Sequence, residues 1–302
     1  MISIIKIKSY IPKGRFDIQK NYPRISKKFL KDKIGTLKLS RKKKNEDVVE
    51  MCIKAFKKFK IKKINNLKAL ILCTQNPESN GLPHNSSIIH NKLNLKENIA
   101  TLDISQGCAG YIYSLKVCEN FLLKENDKAL IFTCDPYSKI IKNNDLNTEI
   151  LFGDAATVTL VSKKKRGKLI KDYSFLSNTF NNEAINNRDG FLKMNGNKIM
   201  NFANNYVDKE IFKILKKNNI LLKNIEKFYF HQGSKHIIKQ IIKKLKIDNK
   251  KVPIILNNIG NTISSSIPIT LEKDNFKKSN SFLLCGFGVG LSVATCIVKK
   301  YE

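Results

Sequence analysis

A cysteine, a histidine and an asparagine, each beside an apolar run, give this chain its chemical prospects. Cys108 stands in Leu102-Asp103-Ile104-Ser105-Gln106-Gly107-Cys108-Ala109-Gly110-Tyr111-Ile112-Tyr113. A short apolar stretch precedes it and ends in a turn of small residues. After it, Ile112, Leu115, Cys118 (or Glu119) and Leu122 recur at helical spacing. The pattern predicts a strand, a sharp turn and a helix that starts at the cysteine. Unpaired N–H groups and the positive end of the helix dipole then face the sulfur, which favours the thiolate, the nucleophilic form. A buried structural cysteine is an equal reading of this segment taken alone.

Of the histidines at 84, 90, 231 and 236, His231 is the one that ends a predicted strand, Lys227 to Phe230. That is a typical site position in an open α/β sheet, although a lone histidine is more often structural. His236 falls on the polar side of the following helix, and His84 and His90 lie in a polar stretch. Asn261 lies in Gly260-Asn261-Thr262-Ile263-Ser264-Ser265-Ser266-Ile267-Pro268, a glycine turn before a predicted helix. Such an asparagine is an N-cap, or a donor to a developing enolate or carbonyl oxygen.

The elements that would position these residues alternate between strand and helix, which argues an α/β architecture. Residues 2–8 read as a strand. Residues 15–45 are polar, basic and poorly periodic, and predict no element. Asp47 to Phe59 is an amphipathic helix with Val48, Met51, Cys52, Ala55, Phe56 and Phe59 on one stripe. Strands are predicted at Leu67–Cys73, Ile99–Ile104 and Ala129–Cys134, and a helix at Ser86–Leu93. Phe152-Gly153-Asp154 is a glycine turn before an alternating strand through Val161. The run Lys163-Lys164-Lys165-Arg166-Gly167-Lys168 reads as a solvated connection to a second half that starts with another strand. In that half, helices are predicted over Phe202–Lys216, Ser234–Leu245 and from about Thr262. Strands are predicted at Val252–Leu256, Ser281–Leu284 and Leu291–Val298. The order suggests an internal duplication. Gly286-Phe287-Gly288-Val289-Gly290 has the wrong spacing for a dinucleotide loop, and a strand follows it rather than a helix. Close backbone approach to a reacting group is the better use of these glycines.

A chain of 302 residues with 42% hydrophobic content is globular and builds one large domain or two fused halves. No signal peptide and no membrane span are predicted. The seven cysteines include no C-x-x-C pair, so metal and redox-pair readings are weak and a reducing cytoplasmic location is expected. The formal net charge is +31, yet only five of the 56 basic residues are arginine. The lysines spread along the whole chain, unlike the arginine- and aromatic-rich strip of a nucleic-acid binder. An acidic protein or phosphate-bearing partner suits this charge, and no nucleic acid is expected.

Seven pieces, in order along nearly the whole chain, resemble β-ketoacyl-acyl-carrier-protein synthase III, a family of thiolase-fold condensing enzymes. They are Ser9–Pro12, Gly107–Tyr111, Leu151–Ala156, Met194–Gly196, His231–Gly233, Gly260–Pro268 and Gly286–Gly290. The resemblance implies a thiolase-like fold of two similar halves, residues 1–162 with the nucleophile and 169–302 with the His and Asn. Each half would carry a mixed sheet in a layered α-β-α-β-α arrangement. It implies decarboxylative condensation of an acyl thioester with malonyl-acyl carrier protein in fatty-acid or related lipid biosynthesis. Cys108 would carry the acyl group, and His231 and Asn261 would hold the donor carbonyl. The N–H groups of Cys108 and of a residue near Val289 would form an oxyanion hole, with Phe287 as a shield. No metal or redox cofactor is implied. A homodimer is implied, with Leu82 in the loop that reaches the partner's acyl pocket. Basic positions after the catalytic histidine, Lys243 and Lys244, would bind acyl carrier protein, and His236 stands where familiar members have an arginine.

The chain has no Trp, whereas familiar bacterial members place one near the CoA entrance, at about residues 25–41 here. These departures favour acyl-carrier-protein donors or unusual acyl groups over CoA. One alternative is a relative that transfers the acyl group to an alcohol or amine; retention of Asn261 argues for condensation. A thiolase-type second cysteine would fall at Cys285, which reads as an ordinary strand residue. The alternative of another class is a basic binding protein on the same scaffold.

Overall fold

A computed structural model describes residues 1–61, 63–164, 167–187 and 189–301. The main strands are β1 (Ser3–Tyr10), β2 (Leu67–Cys73), β3 (Ala100–Ile104), β4 (Lys128–Cys134), β5 (Ala156–Ser162), β6 (Gly167–Ser177), β7 (Lys227–Phe230), β8 (Ser281–Gly288) and β9 (Ser292–Tyr301). The main helices are α1 (Val48–Lys57), α2 (Asn85–Lys92), α3 (Gly110–Phe121), α4 (Gly196–Lys217), α5 (Lys235–Leu245) and α6 (Ser266–Lys273). The strands form a nine-stranded mixed sheet in the order β7-β8-β9-β6-β1-β5-β4-β2-β3. Pairs β2/β3, β2/β4 and β7/β8 are parallel.

The order repeats. The first run reads first, fifth, fourth, second, third strand; the second reads β6-β9-β8-β7, the same pattern without a third strand. The two runs meet where β1 pairs β6 at only Ser3↔Leu169 and Ile4↔Lys168. Side chains alternate across each strand, so every strand serves two cores. Ala69 and Ile71 of β2 face a central core with Phe282 and Leu284 of β8, and α3 and α6 fill it through Ile112, Leu115, Ile267 and Leu271. Leu70 and Leu72 face the opposite way, against α1. Leu283 and Cys285 of β8 likewise face α4 and α5. The result is five layers, α-β-α-β-α, with the Cys108 helix in the middle one.

Four sequence expectations are corrected. Residues 252–256 form no strand. Pro253 has no N–H to give a ladder, and the Gln232 side chain takes the pairing instead: Nε2 donates to the Pro253 carbonyl (3.3 Å) and Oε1 accepts from the Ile255 N–H (3.0 Å). The basic run after β5 is not wholly solvated. Lys168 lies inside β6, only 5% exposed, and donates to the Ser279 carbonyl; Lys165 and Arg166 lie outside the described residues. The first of the two closing strands runs further than expected: β8 continues through Gly286 and Gly288, pairing them with Ala294 and Ser292, and only residues 289–291 turn into β9. The helix expected from Phe202 starts at Gly196, capped by the Asn195 side chain on the Lys198 N–H.

Residues 14–41, unreadable in sequence, build a small cap. Gly14–Asp17 pairs Lys38–Arg41 as a ribbon around short helical turns. Its core is Ile18, Leu30, Ile34 and Leu39 against Ile150.

Candidate active site

Cys108 sits in the single helical turn Gly107–Ala109 that leads into α3. The turn needs glycine at 107, where φ is +56° and a Cβ would lie 2.3 Å from Val289 Cγ1. The end of β8 passes directly over this turn. A Cβ on Gly286 would come within 2.6 Å of the Cys108 carbonyl oxygen, and one on Gly288 within 2.8 Å of Sγ. This close approach lets the backbone N–H groups of Val289 and of Cys108 itself bond the sulfur.

Those two N–H groups favour thiolate, as the sequence pattern predicts, but burial outweighs them. Burial, with a smaller push from the Asp135 carboxylate, raises the Cys108 thiol to about 12. The expectation of a ready thiolate is therefore corrected: burial holds Cys108 as a thiol. His231 is held neutral by the same cause, burial pushing it down to about 3 against a backbone hydrogen bond at Ile263. Its ring stands edge-on to Phe287, centroids 5.5 Å apart at 87°. Nδ1 lies 2.8 Å from Ser266 Oγ. A hydroxyl both gives and takes hydrogen bonds, so Ser266 supports either tautomer of the ring.

Asn261 is not a simple helix cap. Its backbone is held on both sides, by Leu151 O at 2.9 Å and the Gly153 N–H at 2.9 Å. Its Oδ1 accepts the Ile263 N–H at 3.0 Å. With the oxygen used inside the turn, the Nδ2 donors are what the side chain offers outward.

Cys108, His231, Asn261, Phe287, Val289 and His236 border one cavity of about 400 Å³. Its walls are also apolar, including Leu151, Phe152, Ile185, Met194 and Met200, and the exposed Phe29 and Lys33 of the cap border it. His236 Nδ1 is 3.4 Å from Lys33 Nζ. Burial, then Lys33 and Lys239, lowers its pKa. The other predicted residues lie elsewhere. Leu82 is 84% exposed on the turn after β2, outside the cavity lining. Lys243 and Lys244 are exposed on α5, and Lys244 is paired with Asp208 at 3.1 Å. His84 and His90 bond Thr101 and the Lys96 carbonyl. Cys285 is fully buried in β8, its thiol pushed well up by burial.

Sequence reasoning missed the support of these residues. The three serines after Ile263 each hold a different partner. Ser264 bonds Asp135, Ser265 donates to the Thr133 and Ala155 carbonyls at 3.0 and 3.2 Å, and Ser266 meets His231. The available signal was three consecutive hydroxyls at a helix start otherwise lined with Ile and Pro. Asp135 carried a similar signal, an acid at the end of an apolar strand on the same sheet edge as Cys108.

Comparison with known proteins adds an independent line. The family model of 3-oxoacyl-[acyl-carrier-protein] synthase III matches residues 102–179, and the model of that family's C-terminal part matches residues 215–300. A β-ketoacyl-[acyl-carrier-protein] synthase III of Clostridium botulinum (strain Okra) is 30% identical, with 96% of each chain covered. A Clostridium perfringens protein of the same name is 31% identical over 78% of each chain. A crystal structure of a 3-oxoacyl-(acyl-carrier-protein) synthase III superposes with a TM-score of 0.91 at 25% identity, covering 99% of both chains. The Thermus thermophilus enzyme superposes at 0.90 with 21% identity, 99% of both chains covered, and so speaks for the fold. The thiolase-like layers, the convergence of Cys108, His231 and Asn261 on one cavity, and these matches agree that the chain belongs to the β-ketoacyl-acyl-carrier-protein synthase III family.

Proposed function

We propose that this protein is a condensing enzyme that extends an acyl thioester by two carbons from malonyl-acyl carrier protein, through an acyl group carried on Cys108. The observation that supports it most is the arrangement around one sulfur: two backbone N–H groups on it, with a neutral imidazole and an amide donor lining the same apolar cavity.

In the first half-reaction Sγ attacks the acyl thioester carbonyl. The thiol proton passes to His231 Nε2, a new C–S bond forms and the carrier thiolate leaves with that proton. The oxyanion is held by the N–H groups of Cys108 and Val289. In the second, the malonyl carboxylate leaves as CO₂ and its electron pair enters an enolate. With the imidazole now in its Nε2–H tautomer, Nδ1 accepting from the Ser266 hydroxyl, Asn261 Nδ2 and His231 Nε2–H hydrogen-bond the enolate oxygen. The carbon attacks acyl-Cys108, the C–S bond breaks, and one proton from solvent restores the thiol. Phe287, 99% buried beside His231, keeps water from the acyl-enzyme. These steps move an acyl group and a proton and use no metal or redox group.

We infer acyl carrier protein as partner, and a homodimer. Strand β3 is a sheet edge, paired only with β2, with Leu102 38% exposed. The exposed Leu82 turn leads into α2, whose first N–H groups, of Asn85 and Ser86, bond Asp103 of that same edge strand at 2.7 and 2.8 Å. Edge pairing about a two-fold axis would carry Leu82 toward the partner. Among the described residues no helix is long and apolar enough to cross a membrane.

The test is intact mass spectrometry after incubation with acyl-CoA and acyl-carrier-protein thioesters, with Cys108→Ala alongside. Wild type gains one acyl mass, the variant gains none, and malonyl-carrier protein discharges the adduct as a two-carbon-longer product. Discharge by an alcohol or amine instead would replace condensation with simple transfer, and no adduct from any donor would remove the enzyme.

A further inference from the structure

We propose that Asp135 is a positioning residue for the condensation step: its buried carboxylate gathers Gln75 and Ser264 and so fixes the turn that offers the Asn261 amide to the cavity. This rests on the function proposed above, in whose steps Asp135 takes no part.

Asp135 is the residue after β4 and is fully buried. One oxygen accepts the Gln75 N–H at 2.6 Å. The other accepts the Ser264 N–H at 3.3 Å and the Ser264 hydroxyl. Gln75 stands just past β2, where its Oε1 accepts the Tyr137 hydroxyl at 2.7 Å. That oxygen fills the space where a side chain on residue 107 would stand. Ser264 follows Ile263, whose N–H is bonded by Asn261 Oδ1. One carboxylate thus ties the segment after β2, the end of β4 and the Asn261 turn together, around the turn that holds Cys108.

A buried carboxylate is costly, and no cation among the described residues offsets this one. The groups that face it are the thiols of Cys73, Cys108 and Cys134 and the Tyr137 phenol, all held protonated by burial. What a carboxylate does here that a neutral side chain cannot is accept three donors without presenting one. An asparagine in its place would turn an NH₂ toward Gln75 or Ser264. Burial raises Asp135 to about 6 against the pull of its hydrogen bonds from Ser264 and Gln75. Protonation would therefore cost the network an acceptor near neutral pH. His231 at about 3 and Cys108 at about 12 do not titrate in that window.

The experiment separates acyl loading from condensation in wild type, Asp135→Asn and Ser264→Ala, across about pH 5 to 8. In Asp135→Asn, loading of Cys108 stays within about threefold while condensation falls about 10- to 100-fold. The wild-type condensation rate drops on the acid side near pH 6, and that limb is absent from Asp135→Asn. Should Asp135→Asn fail to fold, Ser264→Ala, which deletes one hydroxyl, carries the test with a fall of about tenfold in condensation alone. Equal loss of both half-reactions, or condensation at the wild-type rate with an unchanged acid limb, overturns the role of Asp135. If wild type condenses beside an unaffected variant, this role alone falls; if wild type never condenses, the proposed function falls with it.

Discussion

Cys108, the proposed nucleophile, and His231 are both held neutral, so the proposed reaction activates the sulfur by proton transfer at the moment of attack rather than by a standing thiolate. Burial controls both groups. The same burial gives a stability signature. The folded-state pKa of His231 lies below the ordinary histidine value of 6.5, at about 3. Between those values the unfolded chain binds a proton that the folded one refuses. This contribution is complete above about pH 6.5 and is lost as pH falls. Asp135 has the opposite sign: raised from 3.8 to about 6, it adds stability at low pH that disappears as pH rises through 6. Replacing His231 by Gln removes the first of these. The unfolding free energy of His231→Gln, relative to wild type, should rise by about 1 kcal/mol per pH unit from pH 6 down to 4. Urea titrations at several pH values measure it, and a flat difference would mean the imidazole is not buried neutral.

At the scale of elements, β8 is the piece that makes the Cys108 turn into a site. Its glycines are packing requirements with a chemical result. An alanine at 286 would press its methyl against backbone, at 2.6 Å from Cys108 O and 2.8 Å from Ala109 Cα. Gly286→Ala should therefore cost about 1–3 kcal/mol of stability, because backbone cannot step aside. Gly288→Ala is different. Its φ is +151° and its methyl would sit against Sγ and Cβ of Cys108. It should abolish acyl loading more completely than it lowers the melting temperature. Thermal unfolding and adduct mass together decide this, and wild-type loading in Gly288→Ala would contradict the close approach. The sequence showed these glycines and pointed to their use, because closely spaced glycines before an alternating strand have few other roles. It did not show that β8 runs straight through them, because pairing with Ala294 and Ser292 is a matter of register across the hairpin. The missing strand at 252–256 has the same cause: whether an apolar run joins a sheet depends on which donors face it, and the Gln232 side chain faced it first.

At the scale of the whole molecule, the proposed carrier contact draws on the positive charge. Lys244 is engaged with Asp208, whereas Lys243 stands exposed on α5 with no ion pair among the described residues. The expectation that both lysines serve a carrier is thus sharpened to Lys243. Lys243→Glu should raise KM for acyl-carrier-protein substrates about tenfold at low salt, with little effect on loading from acyl-CoA, and the difference should shrink as salt is added. Equal effects on both donors would remove the carrier reading of this helix.

What the sequence determined by itself was local: the strands and helices with clear periodicity, the turn at Cys108, the strand end at His231 and the glycine turn at Asn261. These are set by neighbouring residues, so they are legible along the chain. The family resemblance was legible for the same reason, since its motifs are short turns with fixed residue types. Only the tertiary structure decided the rest. The cap of residues 14–41 has elements three to five residues long and a core borrowed in part from Ile150, so no period betrays it. The protonation of Cys108 and His231 follows from burial, which no spacing reveals. The roles of Asp135, Gln75 and Ser264–Ser266 depend on bringing together segments about 60 to 130 residues apart, and hydrogen bonds over that separation exist only once the layers have packed.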